Sequence, residues 1–126
     1  MKITSFGPQL IVKDTEPVIR LFEALGFEMH HNQQNVEGRD IDGIVMKDPN
    51  GFRMNIVKDT NIPGDSMAEI RMNVDNFDEA YEFLTARGFT SPAGIDVVNS
   101  GSARALPMIS PCGFMILLVQ HIRKEN

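Results

Sequence analysis

Tryptophan is absent from this chain of 126 residues, cysteine and tyrosine occur once each, and aromatic residues together make up only 7%. The single cysteine, Cys112, excludes an intrachain disulfide, so nothing calls for an oxidising compartment and a cytoplasmic location is expected. No segment approaches the roughly 20 consecutive apolar residues of a membrane span, and the opening MKITSFGPQL has no long apolar core of a secretory signal. Basic residues number 12 against 17 acidic ones and form no block; the net charge of -5 argues against nucleic acid or an anionic membrane surface as a partner. A glycine-rich phosphate loop is also missing, because the glycines fall at turns and helix ends.

What remains, 42% hydrophobic and 23% charged residues, is the composition of one globular domain over residues 1–126. Its order is a repetition. The stretch DPNGFRMNIV, beginning at Asp48, returns as SPCGFMILLV, and the same offset of 62, the distance from Val12 to Val74, aligns Gly26 and Phe27 with Gly88 and Phe89. It also aligns Pro49, Gly51 and Phe52 with Pro111, Gly113 and Phe114. A fixed offset that falls at element boundaries is the mark of a duplicated structural unit.

Each copy carries the same expected elements. FGPQLIVKD alternates Phe6, Leu10 and Val12 against Gly7, Gln9 and Lys13, as a half-buried strand does. A helix follows, with Asp14 or Thr15 to cap it, Pro17 in its first turn, and Val18, Leu21, Phe22 and Leu25 as its apolar stripe up to Gly26. In the second copy AEIRMNV is the strand, Asp75 or Asn76 the cap, and Phe77, Ala80, Tyr81 and Leu84 the stripe up to Gly88. Two further strands are then joined by a polar turn, at Glu37, Gly38 and Arg39 or at Asn99, Ser100 and Gly101, before the DPNG or SPCG turn and a last strand. The expected modules are residues 1–58 and 66–126, linked by 59–65, and two units this small are expected to share one core.

A doubled βαβββ module, with an acidic strand-to-helix junction, a helix ending in Gly-Phe and a Pro-x-Gly turn before the last strand, resembles the vicinal oxygen chelate superfamily. That group holds glyoxalases, methylmalonyl-CoA epimerase, extradiol dioxygenases, fosfomycin resistance enzymes and bleomycin resistance proteins. The resemblance runs over about residues 3 to 122 and implies an α+β fold, two tandem βαβββ modules forming a curled mixed sheet around a cleft, with helices on the outer face. In metal-dependent members the ligands come from the first and last strands of each module. Carried over by position, they fall here on Gly7, Asn55, Glu69 and Leu117, or on Gln9 in place of Gly7 if the first strand aligns two residues later. Glycine and leucine offer no side-chain donor, so no metal and no cofactor is expected. The histidines do not complete a site: His30 and His31 point to opposite faces of one strand, and His121 is placed in the C-terminal tail beside Arg123 and Lys124.

Strand parity supplies a second list. If Phe52, Met54 and Ile56 face the helix, the opposite face carries Gln9, Arg53 and Asn55, and in the second copy Glu69, Arg71, Met115 and Leu117. These are the candidate ligand-binding residues. Glu69 is the one candidate for catalysis, as a general base, although with Arg53 or Arg71 it would serve equally as a structural ion pair. Cys112, in a turn, is expected to be an inert surface thiol. The resemblance implies a metal-free small-molecule binding protein of the sequestration or resistance type, working as a homodimer on a small organic ligand. A glyoxalase-like lyase or dioxygenase with an atypical ligand set is the alternative.

Overall fold

The computed structural model describes residues 1–33, 41–92, 98–99 and 103–121. The turn expected at Glu37, Gly38 and Arg39, the turn residues Ser100 and Gly101, and Arg123 and Lys124 lie outside the described residues. The fold is α+β: β1 (Ile3–Val12), α1 (Glu16–Ala24), β2 (Glu28–Gln33), β3 (Ile41–Lys47) and β4 (Arg53–Asp59), then β5 (Ser66–Val74), α2 (Phe77–Thr85), β6 (Val98–Asn99), β7 (Ala103–Ile109) and β8 (Met115–His121). This is the βαβββ order twice. Asn99, expected in a turn, pairs with Arg104 as part of β6, and His121, expected in the tail, is the last residue of β8.

The chain forms two compact units, Gly7–Ala68 and Met1–Phe6 with Glu69–Asn126. Strands run in the order β2-β3-β4-β1 in the first and β5-β8-β7-β6 in the second, parallel where the first strand meets the last and antiparallel elsewhere. Each unit has a buried apolar cluster of its own. Val12, Ile44, Met46 and Ile56 form one, covered by Val18, Ile19 and Phe22 of α1. Met72, Val74, Leu106, Met108, Ile116 and Leu118 form the other, with Phe77, Ala80 and Leu84 of α2. One helix laid on one sheet face suffices to enclose such a cluster, because alternation delivers every second side chain of each strand to that face.

The duplication holds to the level of single registers. Gln9 lies beside Asn55 and Leu10 beside Ile56 across β1 and β4; 62 positions on, the distance from Val12 to Val74, Arg71 lies beside Leu117 and Met72 beside Leu118 across β5 and β8. Ile44 opposite Ile56 in one hairpin becomes Leu106 opposite Leu118 in the other. The turns agree too. The Asp48 N–H donates to the Phe52 carbonyl (3.0 Å) and the Ser110 N–H to the Phe114 carbonyl (2.8 Å). In return the Phe52 N–H donates to Asp48 Oδ1 (2.8 Å) and the Phe114 N–H to Ser110 Oγ (3.0 Å).

The helices depart from expectation in detail. α1 docks through Val18, Ile19 and Phe22, while Leu21 and Leu25 are exposed: Leu21 sits about a quarter-turn off the docked stripe, and Leu25 is already the C-cap. In α2, Phe77, Ala80 and Leu84 are buried and Tyr81, at the margin, is not. Asn76 caps α2 by accepting from the Glu79 N–H (3.1 Å), and the next N–H, that of Phe77, donates to Gln120 Oε1 (2.7 Å). At α1 the N-cap Thr15 contributes no side-chain bond; Asp14 Oδ1 accepts from the Glu16 N–H (3.2 Å) instead. Phe6 and Phe52, placed by parity on the helix faces, are 60% and 66% exposed. Phe52 belongs to the turn rather than to the strand, and its backbone, not its ring, is what the fold uses.

Gly88 ends the second helix region at φ +89°, and a Cβ there would stand 2.9 Å from Pro111 Cγ of the SPCG turn. Gly26, its counterpart at φ +102°, has nothing within 4 Å of such a Cβ. Gly26→Ala is therefore expected to cost about 1–2 kcal/mol of backbone strain alone. Gly88→Ala adds the steric term and should lose about 1–3 kcal/mol more. Urea unfolding of the two variants checks this; equal losses would show that the contact with Pro111 relaxes freely.

Candidate functional site

In unit Gly7–Ala68 the residues of β1 and β4 that pack on α1 are Leu10, Val12, Met54 and Ile56. Alternation turns Gln9, Arg53 and Asn55 to the other face. Gln9 and Asn55 are neighbours in the parallel β1–β4 register, and Val45 of β3 flanks Asn55 on its far side. Both amides are buried, Gln9 at 2% and Asn55 at 5% exposure. Arg53 donates from Nε to Asn55 Oδ1 (3.2 Å). Because a guanidinium can only donate, this bond sets the amide: the oxygen faces Arg53 and the NH2 faces away. Directly opposite Arg53 on β3 stands Lys47, which the sequence-based list omits. The pairing follows from the bond between the Asp48 N–H and the Phe52 carbonyl, which sets 47 against 53 and which the turn sequence alone does not reveal.

The face of the other unit turned away from α2 carries Glu69, Arg71 and Asn73 from β5 and Met115, Leu117 and Val119 from β8. Arg71 is in register with Leu117, and Asn73 with Val119. Glu69 and Asn73 are each 7% exposed and Val119 is buried. The tripeptide Arg-Met-Asn recurs here with the same local bond, Arg71 Nε donating to Asn73 Oδ1 (3.1 Å). Across β8 the neighbours are apolar, with Pro107 opposite Leu117 and Ile109 opposite Met115. The expected residues thus assemble as two groups, each on one sheet face: Gln9, Arg53 and Asn55 in one unit, and Glu69, Arg71, Met115 and Leu117 in the other.

The four positions that the resemblance assigns to metal ligands, Gly7, Asn55, Glu69 and Leu117, carry one carboxylate between them. Gly7 and Leu117 have no donor, and Asn55 offers a neutral amide oxygen, a weak ligand for any first-row transition ion. Substituting Gln9 for Gly7 adds a second amide in register with the first, not a charge. Among the described residues no group of three or more His, Cys, Asp or Glu side chains is placed to hold a metal ion. His30 and His121 are exposed, and the side chain of His31 lies outside the described residues. Cys112 is exposed, with Sγ 3.4 Å from Ser110 Oγ.

No protein-family model and no curated protein matches the sequence. Solved structures do match the fold. A methylmalonyl-CoA epimerase from Mycobacterium tuberculosis superposes with a TM-score of 0.68 at 14% identity, over 96% of this chain and 90% of that one. A Streptomyces coelicolor methylmalonyl-CoA epimerase variant, in complex with 2-nitronate-propionyl-CoA, gives 0.66 at 15% identity, over 97% and 100%. A glyoxalase/bleomycin resistance protein/dioxygenase superfamily member from Vibrio splendidus 12B01 gives 0.58 at 15% identity, over 94% and 99%. The chain therefore has the vicinal oxygen chelate fold, across nearly its whole length.

The position of Asn55 separates a structural from a functional role. Its counterpart in the second module is Leu117, in the same register between neighbouring strands, so the scaffold tolerates an apolar side chain there. Asn55→Leu is expected to shift unfolding free energy by less than about 1 kcal/mol, the net worth of one partly buried hydrogen bond. A loss above about 3 kcal/mol in urea unfolding would make Asn55 a structural residue.

Proposed function

We propose that this protein binds a small organic molecule without a metal ion, by sequestration or resistance rather than by turnover. One observation carries the reading: at the last-strand position that the resemblance assigns to a metal ligand, this chain buries the neutral amide of Asn55, with Arg53 bonded to it and the buried Gln9 amide beside it in register. Amide and guanidinium groups recognise ligand oxygens and nitrogens by directed hydrogen bonds, and they need no cation to offset a cluster of buried carboxylates. A homodimer in the cytoplasm is part of this reading. Sedimentation showing a monomer at every concentration would refute the homodimer.

A second reading has its own support. Glu69 is buried and carries a carboxylate, which favours a lyase or dioxygenase with an atypical ligand set and Glu69 as its acid–base group. Elemental analysis of untagged protein separates the two. Less than a tenth of an equivalent of Zn, Ni, Fe or Mn, before and after reconstitution, is expected; near-stoichiometric metal would overturn the binding reading. In a thermal-shift screen of metabolites and antibiotics, a specific ligand at 100 times its dissociation constant should add about 2.7 kcal/mol, roughly 10 °C for a chain of this size. Asn55→Leu should abolish that shift.

A further inference from the structure

Lys47 and Arg53 face each other directly across the β3–β4 hairpin, on the sheet face that carries Asn55 and Gln9. Like charges at directly opposed positions destabilise a sheet. Yet neither residue forms an ion pair among the described residues, in a chain whose net charge is -5. Glu28 is the register partner of Lys47 on β2, and it is not within ion-pairing distance either. The hairpin itself does not require this arrangement. In the second module the equivalent pair is Ile109 opposite Met115, in the same register after the same kind of turn.

The arginine is also held ready. Its Nε is committed to Asn55 Oδ1, and Asn55 is 5% exposed, so the guanidinium is anchored at one edge and its two terminal nitrogens remain as a fork. With its oxygen turned to Arg53, Asn55 presents N–H donors, not an acceptor, to anything bound beside it. Two cations at opposed register positions and an amide donor on the same sheet face suit a planar or tetrahedral oxyanion.

We propose that Lys47, Arg53 and Asn55 form an oxyanion subsite, and that the small molecule this protein binds carries a carboxylate or a phosphate group. The proposal rests on the reading of this face as the ligand site, and it names the part of the ligand that the first module holds. The diverged second module, apolar at the matching positions, takes no such group.

The test is a titration of the wild-type protein with sodium succinate and, separately, with sodium phosphate, at ionic strength held constant by sodium chloride. Nitrogen-15 NMR follows the Arg53 Nε–H and the Asn55 side-chain amide. Saturable shifts of both signals with at least one probe are expected. Succinate alone assigns a carboxylate, phosphate alone a phosphate, and both an oxyanion in general. Lys47→Ile and Arg53→Met, which copy the second module, should each weaken binding about 10- to 100-fold, as loss of a charged hydrogen-bond partner does. The urea midpoint of Lys47→Ile should be unchanged or higher, since repulsion is relieved, while that of Arg53→Met should fall, since the buried Asn55 Oδ1 loses its donor; Arg53→Gln serves if Arg53→Met does not fold. No saturable shift with either probe, or equal affinity in the variants, overturns the subsite. A neutral ligand found by thermal-shift screening beside such a failure would leave the binding reading standing, whereas stoichiometric metal beside intact anion binding would remove that reading and keep the subsite.

Discussion

The carboxylate of Asp48 holds the first module in register. Its Oδ1 accepts from the N–H groups of Asn50 (3.0 Å) and Phe52 (2.8 Å), closing the turn between β3 and β4 so that Val45 meets Asn55 and Ile44 meets Ile56. Side chains alternate with a period of two, so a slip of one residue would drive Asn55 against α1 and turn Ile56 out. The parallel pairing of β1 with β4 depends on the same setting, and with it the apposition of Gln9 and Asn55. Ser110 does this work in the second module with a hydroxyl, accepting from the Phe114 N–H. One oxygen at the start of each turn decides which residues face the helix and which face away from it.

On that shared frame the modules have diverged in opposite ways on their two faces. Toward the helix the substitutions are conservative in size and polarity: Val12 and Val74, Ile44 and Leu106, Met46 and Met108, Ile56 and Leu118 fill matching positions in the two clusters. Close packing against one helix allows little else. Away from the helix the pairs differ in kind, with Gln9 against Arg71, Lys47 against Ile109, Arg53 against Met115 and Asn55 against Leu117. Helix packing does not constrain this face, so its chemistry was free to change while the fold stayed the same.

The cost of burying polar groups explains the form the first-module face takes. Two neutral amides at 2% and 5% exposure need only hydrogen-bond partners, whereas two carboxylates at those positions would need a cation or protons to offset desolvation. Arg53 both satisfies the Asn55 amide oxygen and is oriented by it. Glu69, at 7% exposure, is the one buried carboxylate among the candidate residues.

Much of this was legible in the order of residues. Apolar alternation, the Gly-Phe helix ends and the repeated Pro-x-Gly turns determine two βαβββ modules at one offset, because they encode local dihedral and packing preferences that act within a few residues. The same parity placed Gln9, Arg53, Asn55, Glu69, Arg71, Met115 and Leu117 on the faces opposite the helices. It could not say that Phe6, Phe52, Leu21 and Leu25 would be exposed, since whether an apolar side chain finds a partner depends on where each helix and turn comes to lie. Nor could it show that Lys47 would face Arg53. Pairing between strands is a long-range choice made by the registers and the turn that sets them, and only the tertiary structure brings those two charges together.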